Sequence, residues 1–102
     1  MPSPSKAKGN RFEREIVTKA KEKGLIAQRA WGSNGMSLGM HEEVDCLVEG
    51  IKIQAKCRKK IASFLIPTEH VDVVVCKQDR GSTLVIMDYD KWLEYQLKLK
   101  EK

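Results

Sequence analysis

Little in this sequence invites a membrane, disulfide or zinc reading. No apolar run approaches bilayer-spanning length, and the N-terminus lacks the apolar stretch of a signal peptide. A cytoplasmic protein that stays where it is made is therefore expected. Only three cysteines occur, Cys46, Cys57 and Cys76, an odd number at wide spacing with no neighbouring histidine pair. They read as free thiols in a reducing compartment, with Cys46 and Cys57 as filler on apolar strand faces. With 102 residues the chain has room for one modest core and no second domain. A composition 41% hydrophobic and 32% charged belongs to a globular chain rather than a disordered one.

What the sequence does have is positive charge. Lysine and arginine number 19 against 14 acids, for a net +5. That balance on a small chain favours a polyanionic partner, nucleic acid first and an anionic membrane surface second. A merely solvated basic surface is the plain alternative.

Residues 1–9 hold two prolines, two serines, a glycine and two lysines, the composition of a flexible basic arm ahead of a single domain at 10–102. A helix is expected from Asn10, which with Glu13 forms an Asn variant of the capping box. Phe12, Ile16, Val17 and Ala20 then recur at helical spacing up to a stop near Gly24. Leu25 to Trp31 reads as a first strand, and Gly32 to Met40 as a mobile glycine-rich loop. Val44 to Glu49 and Ile51 to Arg58 alternate around a Glu49-Gly50 turn. Ile61 to His70 reads as a short helix or an irregular crossover. Val71 to Cys76 is almost continuously apolar and β-branched, the pattern of a strand buried on both faces. Thr83 to Met87 follows as a fifth strand, and Asp88 or Asp90 caps a last helix carrying Trp92, Leu93 and Leu97. The expected fold is α/β, with a central mixed five-stranded sheet flanked by helices.

Chemistry concentrates on the Glu49-Gly50 hairpin. Counting outward from the turn pairs Val48 with Ile51, Cys46 with Ile53 and Val44 with Ala55, all apolar or small. The other face pairs Leu47 with Lys52 and Asp45 with Gln54, with Lys56 further along. A slip of one residue would drive charges into the core. Opposed side chains lie about 4.5–5.5 Å apart at Cβ, so a carboxylate and an amide oxygen there can share one divalent cation. The Ala55 carbonyl offers a third oxygen, and Lys56 can hold a phosphate or a nucleophilic water beside it.

Asp45 followed by Gln54-Ala55-Lys56 on the next strand resembles the core of the PD-(D/E)XK nucleases. The surroundings look specifically like archaeal and phage Holliday junction resolvases: the start Lys8-Gly9-Asn10-Arg11-Phe12-Glu13-Arg14-Glu15, the Gly/Ser loop with Ser33, and the strands Val71 to Val75 and Leu84 to Met87. The likeness runs from about Lys8 to Tyr95. It implies a restriction-endonuclease-like core, with Mg²⁺ (Mn²⁺ substituting) held by Asp45, Gln54, the Ala55 carbonyl and Glu13. It implies that Lys56 assists the attacking water and that Ser33 contacts the scissile region. Lys8, Arg11, Arg29, Arg58, Lys59 and Lys60 would lie on DNA phosphates. Two positions depart from the family pattern: Val44 replaces a proline, and Gln54 replaces the usual glutamate. The second removes a negative ligand and should weaken metal binding, although Gln-Ala-Lys looks like the catalytic strand of Mrr-type restriction endonucleases.

Plain readings stand beside these. Asp45, Gln54 and Lys56 are each common on an exposed strand face. Glu13 serves equally as a capping residue, Ser33 as a turn former, and Trp31 as core. His41, beside Glu42 and Glu43, and His70 read as surface residues. The expectation is a Mg²⁺-dependent endonuclease resolving four-way DNA junctions as a two-fold homodimer, without a membrane or a small-molecule cofactor. The alternatives are a Mrr-like nuclease on duplex DNA and a catalytically weak junction-binding protein.

Overall fold

The computed structural model describes residues 4–30 and 40–102. Ser33, Trp31 and nearly all of the expected glycine-rich loop lie outside the described residues. The described elements are helix α1 (Pro4–Glu22), strands β1 (Ala27–Arg29), β2 (Cys46–Val48) and β3 (Ile51–Ile53), a single 3₁₀ turn at Ser63–Leu65, strands β4 (Val73–Lys77) and β5 (Thr83–Met87), and helix α2 (Tyr89–Lys100). Among the described residues no helix is long and apolar enough to cross a membrane.

The class is α/β as expected, but the five strands do not form one central mixed sheet. They divide into an antiparallel three-stranded sheet, β1-β2-β3, and an antiparallel ribbon, β4-β5. After Ile53 the chain runs to Asp72 with no ladder, its one regular feature the 3₁₀ turn. That settles the crossover between Ile61 and His70 as irregular, and it separates the two sheets.

Helix α1 begins at Pro4, six residues before Asn10, so most of the segment read as an arm is helical. Proline suits a first helical position because its fixed φ is already helical and its missing N–H would go unpaired there anyway. Asn10 therefore lies inside the helix, and the Asn10–Glu13 capping box does not form. The helix ends where expected. Gly24 takes φ +85°, its N–H reaching Lys21 O at 2.9 Å while Leu25 N–H reaches Ala20 O at 3.0 Å. This is a Schellman arrangement, which only a residue tolerant of positive φ closes cheaply.

The hairpin register is the expected one over its regular part: Val48 pairs with Ile51, Leu47 with Lys52 and Cys46 with Ile53. Glu49 and Gly50 both have positive φ, 50° and 79°, the signature of a type I′ turn that matches strand twist. Beyond Cys46 the ladder changes. Asp45 N–H donates to Ile53 O at 2.8 Å, the carbonyl of the very residue that Cys46 faces. Two residues of one strand thus share one of the other, a β-bulge, and the expected Asp45–Gln54 and Val44–Ala55 pairs lie outside the ladder.

The core packs α1 on this sheet, through Ile16, Val17, Ala20, Leu25, Ala27, Cys46 and Val48, with Leu93 arriving from α2. Leu47, expected on the outer face, is also buried, whereas Ile51, expected inside, is exposed. Asp88 rather than Asp90 caps α2, its Oδ1 accepting from the N–H groups of Asp90 and Lys91. The Tyr89 hydroxyl donates to Ile16 O at 2.7 Å, tying α2 to α1. Burial holds this phenol's pKa up at about 12. Val71 to Cys76, read as buried on both faces, is not: Val71, Val73 and Val75 are exposed. Continuous apolar sequence marks a strand that wants cover on both sides, and among the described residues no element buries Val71, Val73 or Val75.

Candidate functional site

The bulge places Asp45 at the mouth of a cleft. Its Oδ2 accepts the Ala55 N–H at 2.7 Å, which pins the irregular segment after β3 to the residue just before β2, at the point where regular pairing has stopped. Asp45, Gln54, Ala55 and Lys56 line this cleft of about 470 Å³, together with Lys8, Gly9, Cys57, Arg58 and Lys59. One carboxylate thus faces four cationic side chains, an excess of positive charge that suits an anion.

Asp45 is half-buried and its carboxyl pKa lies above the usual value. Burial is the main cause. The Glu13 charge acts in the same direction, while the Ala55 hydrogen bond and Lys56 act against it. Glu13 is therefore close enough to Asp45 to be felt electrostatically, although it does not line the cleft. It is buried, 6% exposed, and its Oε1 accepts from Arg29 Nε at 3.1 Å. Arg29 Nη2 donates in turn to Asn10 Oδ1 at 2.9 Å. Asn10 and Glu13, one helical turn apart on α1, thus clamp an arginine of β1. Burying a carboxylate is tolerable in such a pair, where removing one partner strands the other. The same two carboxylates, with the thiol's own burial as the leading cause, push Cys46 up to about 12, so this thiol is inert.

The sequence-derived candidates thus fall into three groups. Lys8, Asp45, Gln54, Ala55, Lys56, Arg58 and Lys59 converge on the cleft. Glu13 and Arg29 stand behind it, joined to each other. Arg11 is exposed on α1 and Lys60 lines a separate shallow hollow with Ile61, Ala62 and Ser63. Ser33 lies outside the described residues. The sequence reading missed Gly9 and Cys57 as cleft residues. It also missed Asn10 as an arginine acceptor, because the capping-box pattern offered that amide another use. A Cβ at Gly9 would meet nothing within 4 Å, so the cleft wall there is open backbone.

A hard divalent cation fits the donor chemistry in part. Asp45, the Gln54 amide and the Ala55 carbonyl are all oxygen donors, but they carry one formal charge. Among the described residues no group of three histidine, cysteine, aspartate or glutamate side chains stands ready for a metal. Such a set suits an ion that keeps much of its water and binds through one or two carboxylates, as Mg²⁺ does. The chain matches no family model, no curated protein and no solved structure.

Proposed function

We propose that this chain is a metal-dependent endonuclease of the PD-(D/E)XK kind that cuts branched DNA, four-way junctions above all. The observation that carries the reading is the meeting of Asp45, Gln54, Ala55 and Lys56 on one wall of a cleft rimmed by Lys8, Arg58 and Lys59. In this reading the three rim cations hold phosphates on either side of the scissile one, a contact that weakens steeply with salt. Lys56 presents its ammonium to the reacting phosphate or to the water that attacks it. Asp45, Gln54 and the Ala55 carbonyl would hold Mg²⁺, with Glu13 adding negative potential from behind. Once bound, the ion supplies Lewis-acid charge to the phosphate and lowers the pKa of water. Arg29 acts by position, holding the Glu13 carboxylate turned towards β1. Resolving a junction needs matched cuts on two strands, hence two copies about a two-fold axis.

The test is cleavage of a labelled four-way junction and its matched linear duplex in Mg²⁺ and in Mn²⁺. Paired symmetric nicks are expected in the junction, with Lys56→Ala reducing the rate about 10²- to 10⁴-fold. Equal or better cutting of the duplex would replace junction resolution by a Mrr-like activity. A second reading is favoured by Gln54, a neutral amide where a second carboxylate would strengthen the metal site: a junction-binding protein with little catalysis. Tight, salt-sensitive junction binding without cleavage in either metal would establish it.

A further inference from the structure

The irregular crossover between the two sheets carries Ile61, Phe64 and Ile66, which are 57%, 72% and 53% exposed. Phe64 is the most exposed large apolar side chain among the described residues. Its backbone is nevertheless ordered by hydrogen bonds. It sits at the centre of the 3₁₀ turn Ser63–Leu65, where Leu65 N–H donates to Ala62 O at 3.0 Å and Ile66 N–H to Ser63 O at 3.1 Å. Leu65 is half-buried, and Pro67 restricts the chain just beyond the turn. An aromatic ring is thus held outward on a short, closed turn, with nothing of its own chain over most of its surface.

The chain reaches this turn directly from the cleft. Lys56, Arg58 and Lys59 line the cleft, and Lys60 lines the next hollow with Ile61, Ala62 and Ser63. The five steps from Lys59 to Phe64 span at most about 18 Å. Base pairs rise about 3.4 Å each, so DNA with a phosphate at Lys59 has its bases within about five steps of Phe64. Cations that grip a backbone, followed by an exposed aromatic, are the two parts of a surface that binds unpaired or unstacked bases. A bilayer fits less well, because it needs cations and apolar tips in one plane. Here Lys56, Arg58 and Lys59 line a concave cleft around Asp45.

We propose, on the branched-DNA reading above, that Phe64 is a wedge that stacks on bases at the branch point. In continuous duplex each base pair is covered by neighbours on both sides, and a ring that enters must displace that stacking. Where strands exchange, the stack is interrupted, and the same ring gains a base face at little cost. Ile61 and Ile66 add apolar surface to the contact, as such side chains do beside an inserted wedge. The cations then set how tightly any DNA is held, and Phe64 sets the preference for branched over linear DNA.

Fluorescence anisotropy of a labelled four-way junction and its matched linear duplex, in EDTA so that nothing is cut, tests the proposal. Phe64→Ala, with an unchanged far-ultraviolet circular dichroism spectrum, should bind the junction about 5- to 140-fold more weakly. Its duplex affinity should stay within about twofold, and the salt dependence of junction binding should not change, because no charge is removed. Phe64→Trp should restore junction binding. On the unmodified chain, permanganate should attack thymines at the branch point more than in free junction, and Phe64→Ala should abolish that increase. Junction affinity unchanged in Phe64→Ala would overturn the wedge, as would equal losses on junction and duplex. Loss of binding to vesicles of phosphatidylglycerol and phosphatidylcholine, with junction binding intact, would overturn it in favour of a membrane contact. Phe64-dependent junction binding without cleavage in Mg²⁺ or Mn²⁺ would keep the wedge and remove the nuclease reading. Junction cleavage that Phe64→Ala leaves unaltered, together with unaltered binding, would do the reverse.

Discussion

Cys46 and Val48 are fully buried, whereas Val75 and Val85, in a second antiparallel hairpin of comparable apolar content, stay more than half exposed. The first hairpin has α1 laid across it, delivered by the Schellman turn at Gly24 and clamped by Arg29 to Glu13 and Asn10. The second is followed directly by α2, which sends Leu93 to the first region's core. An apolar strand pattern therefore states a demand for cover. Whether the same chain meets that demand depends on where its helices are delivered.

Substitutions that remove similar apolar volume from the two regions should separate them most. Leu93→Ala empties a fully buried site and should cost about 2–5 kcal/mol. At about 4–8 °C per kcal/mol, the melting temperature falls by roughly ten degrees or more. Val85→Ala, at a side chain 63% exposed, should stay within about 0.5 kcal/mol of the parent. Equal losses in the two thermal melts would break the contrast. A smaller effect probes how α2 is tied to the first region. Tyr89→Phe removes the 2.7 Å bond to Ile16 O and keeps the ring stacked on Trp92, so a loss of about 1 kcal/mol is expected by urea titration. No change would mean that packing alone holds the helix.

The smallest effect depends on pH. The Glu49 carboxyl pKa is lowered, first by the Ile26 N–H and then by Lys100. A carboxyl with a lowered folded-state pKa adds stability above its unfolded value, near 4.5, and loses it as pH falls through the folded value. Glu49→Gln should therefore melt slightly below the parent at pH 7, and the gap should close in acid below pH 4.5. A gap of constant size from pH 7 to pH 3 would mean that the carboxylate charge is not what the turn uses.

Much of this was legible where side-chain alternation and turn chemistry agree. The Cys46–Ile53 register, the Glu49-Gly50 turn, the bounds of β5 and the Asp88 cap all follow local rules. The missed features depend on partners distant in sequence. Asn10 and Glu13 carry the spacing of a capping box, and only the arrival of Arg29 from β1 assigns them elsewhere. The start of α1 was hidden by a proline, a residue that reads as a linker and serves equally as a first helical residue. The bulge has no composition signal at all, since Val44, Asp45 and Cys46 continue the alternation through it. The five-stranded sheet failed for a related reason: strand patterns name the strands but not their neighbours.

The point where the β2–β3 ladder stops also bears on how this protein can change. Residues 54–59 are joined to the described structure by the hydrogen bond from Ala55 N–H to Asp45, while the core-facing Cys46 and Val48 belong to the paired part of the hairpin. Ala55 packs on the core, but the exposed side chains of Gln54, Lys56, Arg58 and Lys59 can be exchanged with little disturbance to folding. The cleft wall behaves as a replaceable cassette on a fixed frame, open to new chemistry by single substitutions while the fold stays as it is.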